Sequence, residues 1–123
     1  MVHDLDKSFG KNQVLYGIDF SIKSGDIVCL LGPSGSGKTT LIRCLIGAIK
    51  AEKGRINYDD VAVPNLKLMR TIGFMPQNDA LYDDLTGEDN LKFFAGLHKM
   101  DHRQSKNRID EVLRLVKLSD DRN

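Results

Sequence analysis

Gly32-Pro33-Ser34-Gly35-Ser36-Gly37-Lys38-Thr39 is the stretch on which the fold turns. It fits the phosphate-loop pattern G-x-x-x-x-G-K-[ST]. Each fixed position has a physical task. Glycines let the backbone curl so that successive N–H groups converge on phosphate oxygens. A helix beginning at about Lys38 would point its positive end at the same anion. Lys38 supplies a point charge for the β- and γ-phosphates. Thr39 supplies a hydroxyl for Mg²⁺, a hard cation that prefers oxygen.

The pattern needs a buried strand before it and a helix after it. Upstream, Ile27, Val28, Cys29, Leu30 and Leu31 form an apolar run without alternation, which predicts a strand buried on both faces. Downstream, Leu41, Ile42, Leu45 and Ile46 recur at helical spacing, and a helix is predicted over 38–49. Further upstream, Val14, Tyr16, Ile18, Phe20 and Ile22 alternate with other residues, which predicts a half-buried strand. Lys23-Ser24-Gly25-Asp26 then reads as a turn.

Beyond the loop helix, Arg55 to Tyr58 reads as a short strand between turns at Lys53-Gly54 and Asp59-Asp60. Thr71 to Met75 is a second buried-strand candidate, ended by Pro76, which lacks a backbone donor. Thr86 is a good N-cap, with Glu88 and Asp89 placed to suit the helix dipole. Leu91, Phe94, Ala95 and Leu97 give that helix an apolar side. A last helix is predicted over about 103–118, where Ile109, Val112, Leu113 and Val116 fall at i, i+3, i+4 and i+7.

Composition narrows the function classes. The chain has 123 residues, with 18 Lys and Arg against 17 Asp and Glu. That length suits one domain at most. Balanced charge carries no signature of a dedicated nucleic-acid binder, so no nucleic-acid partner is expected. The longest apolar run is far short of the about 20 residues a membrane helix needs. No secretory leader is expected, since no apolar stretch precedes Val14. Cys29 and Cys44 lack Cys-x-x-Cys spacing and read as small core hydrophobes in a reducing compartment. His98 and His102 have the spacing of a Zn pair but no evident third ligand, and read as surface histidines. Asp83-Asp84 and Glu88-Asp89 read as helix-start acids rather than paired catalytic carboxylates. Lys106, Arg108 and Arg114 read as a charged helix side.

LLGPSGSGKTTLIRCLIG over 30–47 resembles the ATP-binding subunit of ABC transporters. KSFG at 7–10 and VLYGIDFSIKSGDIV at 14–28 are similar to the family's N-terminal β-subdomain. IGFMPQNDALYDDLTGEDNLKFFAGL at 72–97 resembles the segment carrying the family's Q-loop glutamine. The fold class this implies is α/β, a P-loop NTPase. More narrowly, it is a partial ABC nucleotide-binding domain: an antiparallel β-subdomain at 1–26, a P-loop core to the Q-loop at 27–77, and part of the helical subdomain at 78–123.

The resemblance also implies residue roles. Phe9 matches the aromatic that stacks on adenine, against a plain reading as core phenylalanine. Val14 is a candidate for the floor of the same pocket, or else a strand core residue. Ser34, Gly35, Ser36, Gly37, Lys38, Thr39 and Thr40 match the loop positions that hold phosphate, although the Ser34 hydroxyl has the alternative of satisfying the loop's own backbone. Gln77 matches the glutamine that touches Mg²⁺ or the attacking water. Lys38 and Gln77 are therefore the candidate catalytic residues, and Thr39 and Gln77 the candidate Mg²⁺ ligands. Leu81, Tyr82 and Leu85 are either contacts for a membrane subunit or packing within the helical subdomain.

The implied cofactors are ATP and Mg²⁺. The implied partners are a transmembrane permease subunit and a second ATP-binding domain in a head-to-tail dimer, at the cytoplasmic face of a membrane. Within the family, the segment around Gln77 looks most like exporters of drugs or lipids. The activity expected is ATP hydrolysis coupled to transport. The sequence shows no Walker B acid, signature or switch histidine, so little turnover is expected from these residues alone. The alternatives are a non-transport ABC-type ATPase acting on DNA or ribosomes, a nucleotide-binding fragment without turnover, and a small-molecule kinase or GTPase. The strand and turn before the loop, and the lack of an Asn-Lys-x-Asp run, argue against the last.

Overall fold

A computed structural model of the chain describes residues 1–77 and 80–122. It divides into two units, Met1–Phe74 and Met75–Asn123.

The first unit is built on an antiparallel sheet. Its strands are β1 (Val2–Phe9), β2 (Asn12–Phe20), β3 (Lys53–Tyr58) and β4 (Val61–Ala62), in the order β2-β1-β3-β4. Helix α1 (Lys38–Leu45) packs on it, and a short α2 (Leu66–Met69) follows β4, capped by the Asn65 side chain. The core gathers Val2, Leu5 and Leu15 from the hairpin, Leu41 and Cys44 from α1, and Ile56 from β3. Each such aliphatic side chain contributes about 2 kcal/mol relative to exposure.

Strand β2 does not follow the simple alternation read from the sequence. Leu15 is buried, while Tyr16 and Ile22 are exposed. The register between β1 and β2 shifts between Val2 and Leu5, between Leu5 and Lys7, and between Lys7 and Ser8. Each shift adds a residue to one strand and turns the following side chains to the other face. Asp4 and Gly17 sit in these bulges with φ of 48° and 52°. Carboxylates take up the amides there. Asp4 N–H donates to Asp19 at 3.0 Å, and Gly17 N–H donates to Asp6 at 2.6 Å. Lys53 then pairs with Asp4 at 2.8 Å. Its ammonium holds the Asp4 carboxyl below the usual range. Beside it, Gly54 has φ of 84°, and a Cβ there would collide with the Asp4 carbonyl.

Two buried strands predicted from the sequence are not formed. Residues 27–31 carry no strand, Ile27 is fully exposed, and Val28, Leu30 and Leu31 are exposed as well. Cys29 is exposed with them, not a core residue, whereas Cys44 is buried. Thr71 to Met75 is likewise irregular, with Phe74 and Met75 exposed. The reason is shared. A strand buried on both faces takes its hydrogen bonds from neighbours on each side. Among the described residues no strand pairs with either segment.

Helix α1 also stops earlier than its apolar spacing suggested. Gly47 N–H donates to Cys44 O at 3.0 Å and Ala48 N–H to Arg43 O at 2.9 Å. This left-handed glycine closure ends the helix at Leu45. The Tyr58 hydroxyl of β3 donates to the Leu45 carbonyl at 3.2 Å, tying the helix end to the sheet.

The second unit contains α3 (Gly87–Leu97) and α4 (His102–Leu115). Thr86 caps α3 through Asp89 N–H, with Glu88 and Asp89 in the first turn. Asp101 and Gln104 form a reciprocal capping box on α4. Ala95, Ile109 and Leu113 are buried between the helices, but Leu97 and Val116 are exposed, outside the stripes assigned to them. Arg122 binds Asp110 at 2.7 Å and Glu88 at 3.4 Å, so one guanidinium joins both helices. Asn90 is the buried polar residue of this unit, and its amide fills the turn between Tyr82 and Thr86. No helix among the described residues is long and apolar enough to cross a membrane.

Candidate functional site

The loop at 32–37 leads directly into α1. Gly35 and Gly37 have φ of 79° and 87°, values that favour glycine. Gly37 is the N-cap of α1, and no side chain caps the helix. No acid lies in its first turn. The positive end of α1 is therefore left without an internal anion, a setting that suits phosphate. A Cβ on Gly37 would lie 3.1 Å from atoms of both Val14 and Leu15. The loop thus packs closely on β2, and Val14, half-buried at the core margin, lies beside it.

Lys38 turns back over the loop. Its Nζ donates to Gly32 O at 2.7 Å, Pro33 O at 2.6 Å and Ser36 Oγ at 3.2 Å. These three acceptors match the three protons of the ammonium. The lysine holds the curl of the loop from inside. Ser36 N–H adds a turn bond to Pro33 O at 3.3 Å. Ser34 and Gly35 are exposed at the tip, Thr39 is exposed in the first helical turn, and Thr40 is half-buried behind it.

The family model described as "ABC transporter" matches residues 15–123. The chain belongs to the ABC transporter family. Its fold is part of an ABC ATPase fold. A solved chain described as "Structure of ATP binding subunit of ABC transporter" superposes with a TM-score of 0.78 at 27% identity, covering 95% of this chain and 50% of that one. The chain is 41% identical to the "Probable sulfate/thiosulfate import ATP-binding protein CysA" of Chlorella vulgaris, over 96% of this chain and 50% of that protein. It is 35% identical to the "Linearmycin resistance ATP-binding protein LnrL" of Bacillus subtilis (strain 168), over 95% of this chain and 38% of that protein. The "Fe(3+) ions import ATP-binding protein FbpC" of Photobacterium profundum is 40% identical, over 92% of this chain and 32% of that protein. The chain therefore spans half or less of the length of these relatives. Two of the three are named for import, so the export type expected from the sequence gains no support.

Other residues singled out in the ABC reading take these places. Phe9 ends β1 and is 53% exposed rather than part of the core. Gln77 is exposed in the irregular segment after Pro76, in the second unit. Leu81, Tyr82 and Leu85 are exposed, and the Tyr82 ring meets Phe93 edge to face at 4.9 Å. His98 caps the end of α3 and His102 begins α4, so the pair does not share one helix. Among the described residues no cluster of His, Cys, Asp or Glu is arranged to hold a metal. Glu88 and Asp89 bind Lys92 at 3.2 and 3.0 Å. The Asp89 carboxyl is held down chiefly by that bond to Lys92, then by Thr86.

Sequence reasoning passed over three residues that shape the site and its surroundings. Tyr58 anchors the end of α1, Asn90 orders the turn at 82–86, and Lys7 lies over Phe9. Lys7 and Asn90 fall inside the stretches 7–10 and 72–97, but nothing in those stretches marks these roles, and Tyr58 reads only as the end of a short strand. A polar side chain inside an apolar-periodic stretch, as Asn90 is, was the one available signal.

Proposed function

We propose that this chain binds Mg-ATP as the N-terminal part of an ABC transporter ATPase subunit. The observation that carries the reading is the glycine-framed loop running into an uncapped, acid-free helix start with Lys38 folded across it. Lys38 and the amides of the loop would hold the phosphates. Thr39 would hold Mg²⁺, which would supply charge neutralisation on the phosphates; Gln77 is a further Mg²⁺ ligand candidate on the resemblance alone. Phe9 would stack on the base, with Val14 as the candidate floor of the same pocket. In the complete protein, ATP binding and hydrolysis power a separate membrane subunit, with two ATP-binding domains pairing head to tail at the cytoplasmic face of the membrane.

The relatives named for sulfate/thiosulfate and Fe(3+) import favour uptake of a small inorganic ion over the export of drugs or lipids. Titration of the full-length protein with Mg-ATP by calorimetry tests the nucleotide reading. Saturable binding that Lys38→Gln abolishes is the expected result. Binding that survives this substitution unchanged overturns it. Uptake of radiolabelled sulfate by cells carrying or lacking the gene tests the cargo.

A further inference from the structure

We propose that Lys7 and Glu52 act together as positioning residues for the Phe9 ring, and so set the affinity for the base of the nucleotide. The proposal rests on the reading of Phe9 as the adenine platform. Lys7 Nζ lies 5.1 Å from the centroid of the Phe9 ring. A cation over an aromatic face is attracted by the ring quadrupole, most strongly where water is scarce. The Lys7 side chain is only 14% exposed, while Phe9 is 53% exposed. One face of the ring is thus held from within the protein and the rest is open to a partner.

Glu52 fixes the lysine. Its Oε1 lies 3.5 Å from Lys7 Nζ, and its Oε2 accepts from Ser8 N–H at 3.1 Å. Its own N–H donates to Asp6 O at 3.0 Å. The carboxylate therefore grips both residues that precede Phe9, where the register of β1 slips between Lys7 and Ser8. A strand end with a bulge has a poorly defined side-chain direction unless something outside the ladder holds it. Glu52 is that hold. The Lys7 charge also reaches α1, where it opposes the upward push of burial on the Cys44 thiol. A cation on the inner face also draws electron density from the ring, which favours an electron-rich base on the outer one.

The test compares Mg-ATP with inorganic tripolyphosphate, which has phosphates but no base, on the full-length protein. Lys7→Met and Glu52→Gln are expected to weaken Mg-ATP about three- to tenfold, a cation–π-sized effect, and to leave tripolyphosphate within about twofold. Lys7→Arg should retain most of the affinity. In a Phe9→Ala background, Lys7→Met should have no further effect. Equal losses for both ligands overturn the proposal, because they mark an action on the phosphates or on the fold. Unchanged Mg-ATP affinity in Glu52→Gln and Lys7→Met also overturns it. Should Lys7→Met fail to fold, Glu52→Gln and Lys7→Arg decide alone. If Phe9→Ala leaves Mg-ATP binding intact, the adenine-platform reading itself falls. If only Phe9→Ala matters, that reading stands and the role of Lys7 and Glu52 falls.

Discussion

The Asn90 side chain satisfies both backbone groups of Tyr82. Its Oδ1 accepts from Tyr82 N–H at 2.8 Å and its Nδ2 donates to Tyr82 O at 3.0 Å. The same Nδ2 reaches Leu85 O at 3.3 Å and Thr86 O at 3.1 Å. One buried amide therefore does for this turn what a strand partner does elsewhere. Asn90→Leu takes the side-chain partner from Tyr82 N–H and Leu85 O, while Tyr82 O and Thr86 O keep the N–H groups of Leu85 and Asn90. It should cost about 1–3 kcal/mol, with Asn90→Asp intermediate because it loses the donor. Chemical denaturation followed by circular dichroism measures the difference. An unchanged midpoint for Asn90→Leu would show that solvent already serves the turn.

Gly54 lies against the Asp4 carbonyl with no room for a side chain. Gly54→Ala must move β1 or β3 where they pair. A loss of about 3 kcal/mol or more is expected from the collision and the positive φ together. Gly10, with φ of 61° but open space around it, should lose only about 1 kcal/mol on the same change. Paired melting curves of the two variants test the contrast.

Cys29 and Cys44 should react at very different rates. Cys29 is exposed, while Cys44 is buried and its thiol is pushed up by burial. The thiolate is the reactive form. Iodoacetamide should label Cys29 first and Cys44 only in denaturant, as peptide mass mapping reads directly. Equal labelling in native buffer would mean that the sheet and α1 separate readily.

Acid should loosen the second unit through Asp110. The Arg122 guanidinium holds its carboxyl below the ordinary value of 3.8. A depressed carboxyl stabilises the fold fully above that ordinary value. The contribution is lost as pH falls through the lowered one. Asp110→Asn should therefore lower the melting temperature at about pH 5, and the difference should shrink as pH falls below 3.8. Parallel curves over that range would show that the pair does not contribute.

What could be read from the sequence was what is encoded locally. Thr86 caps α3 with a bond that closes within four residues, and the spacing of Ile109, Val112 and Leu113 marks α4, so neither needed knowledge of its neighbours; the Asp101 cap of α4 is equally local but was not read from the sequence. The phosphate loop is local in the same sense, since Gly35, Gly37 and Lys38 bend and bind within one turn of chain. The segments at 27–31 and 71–75 are apolar enough for strands but take their form from partners that local pattern does not name. Strand β2 was misread for a different reason. Its facing depends on bulges at Asp4 and Gly17, whose amides are met by Asp19 and Asp6 far along the chain. Phe9 carried a motif but no sign of Lys7 above it, because that contact depends on Glu52.

Lys38 spends all three of its ammonium protons on Gly32, Pro33 and Ser36. An alanine in its place is thus more than a missing charge, because it also unties a cross-brace and leaves a slack loop. Experiments that use this variant as a charge-free reference would compare two differently shaped cradles. A neutral but hydrogen-bonding replacement such as Lys38→Gln is the cleaner control, since it separates the electrostatic role of the residue from its mechanical one.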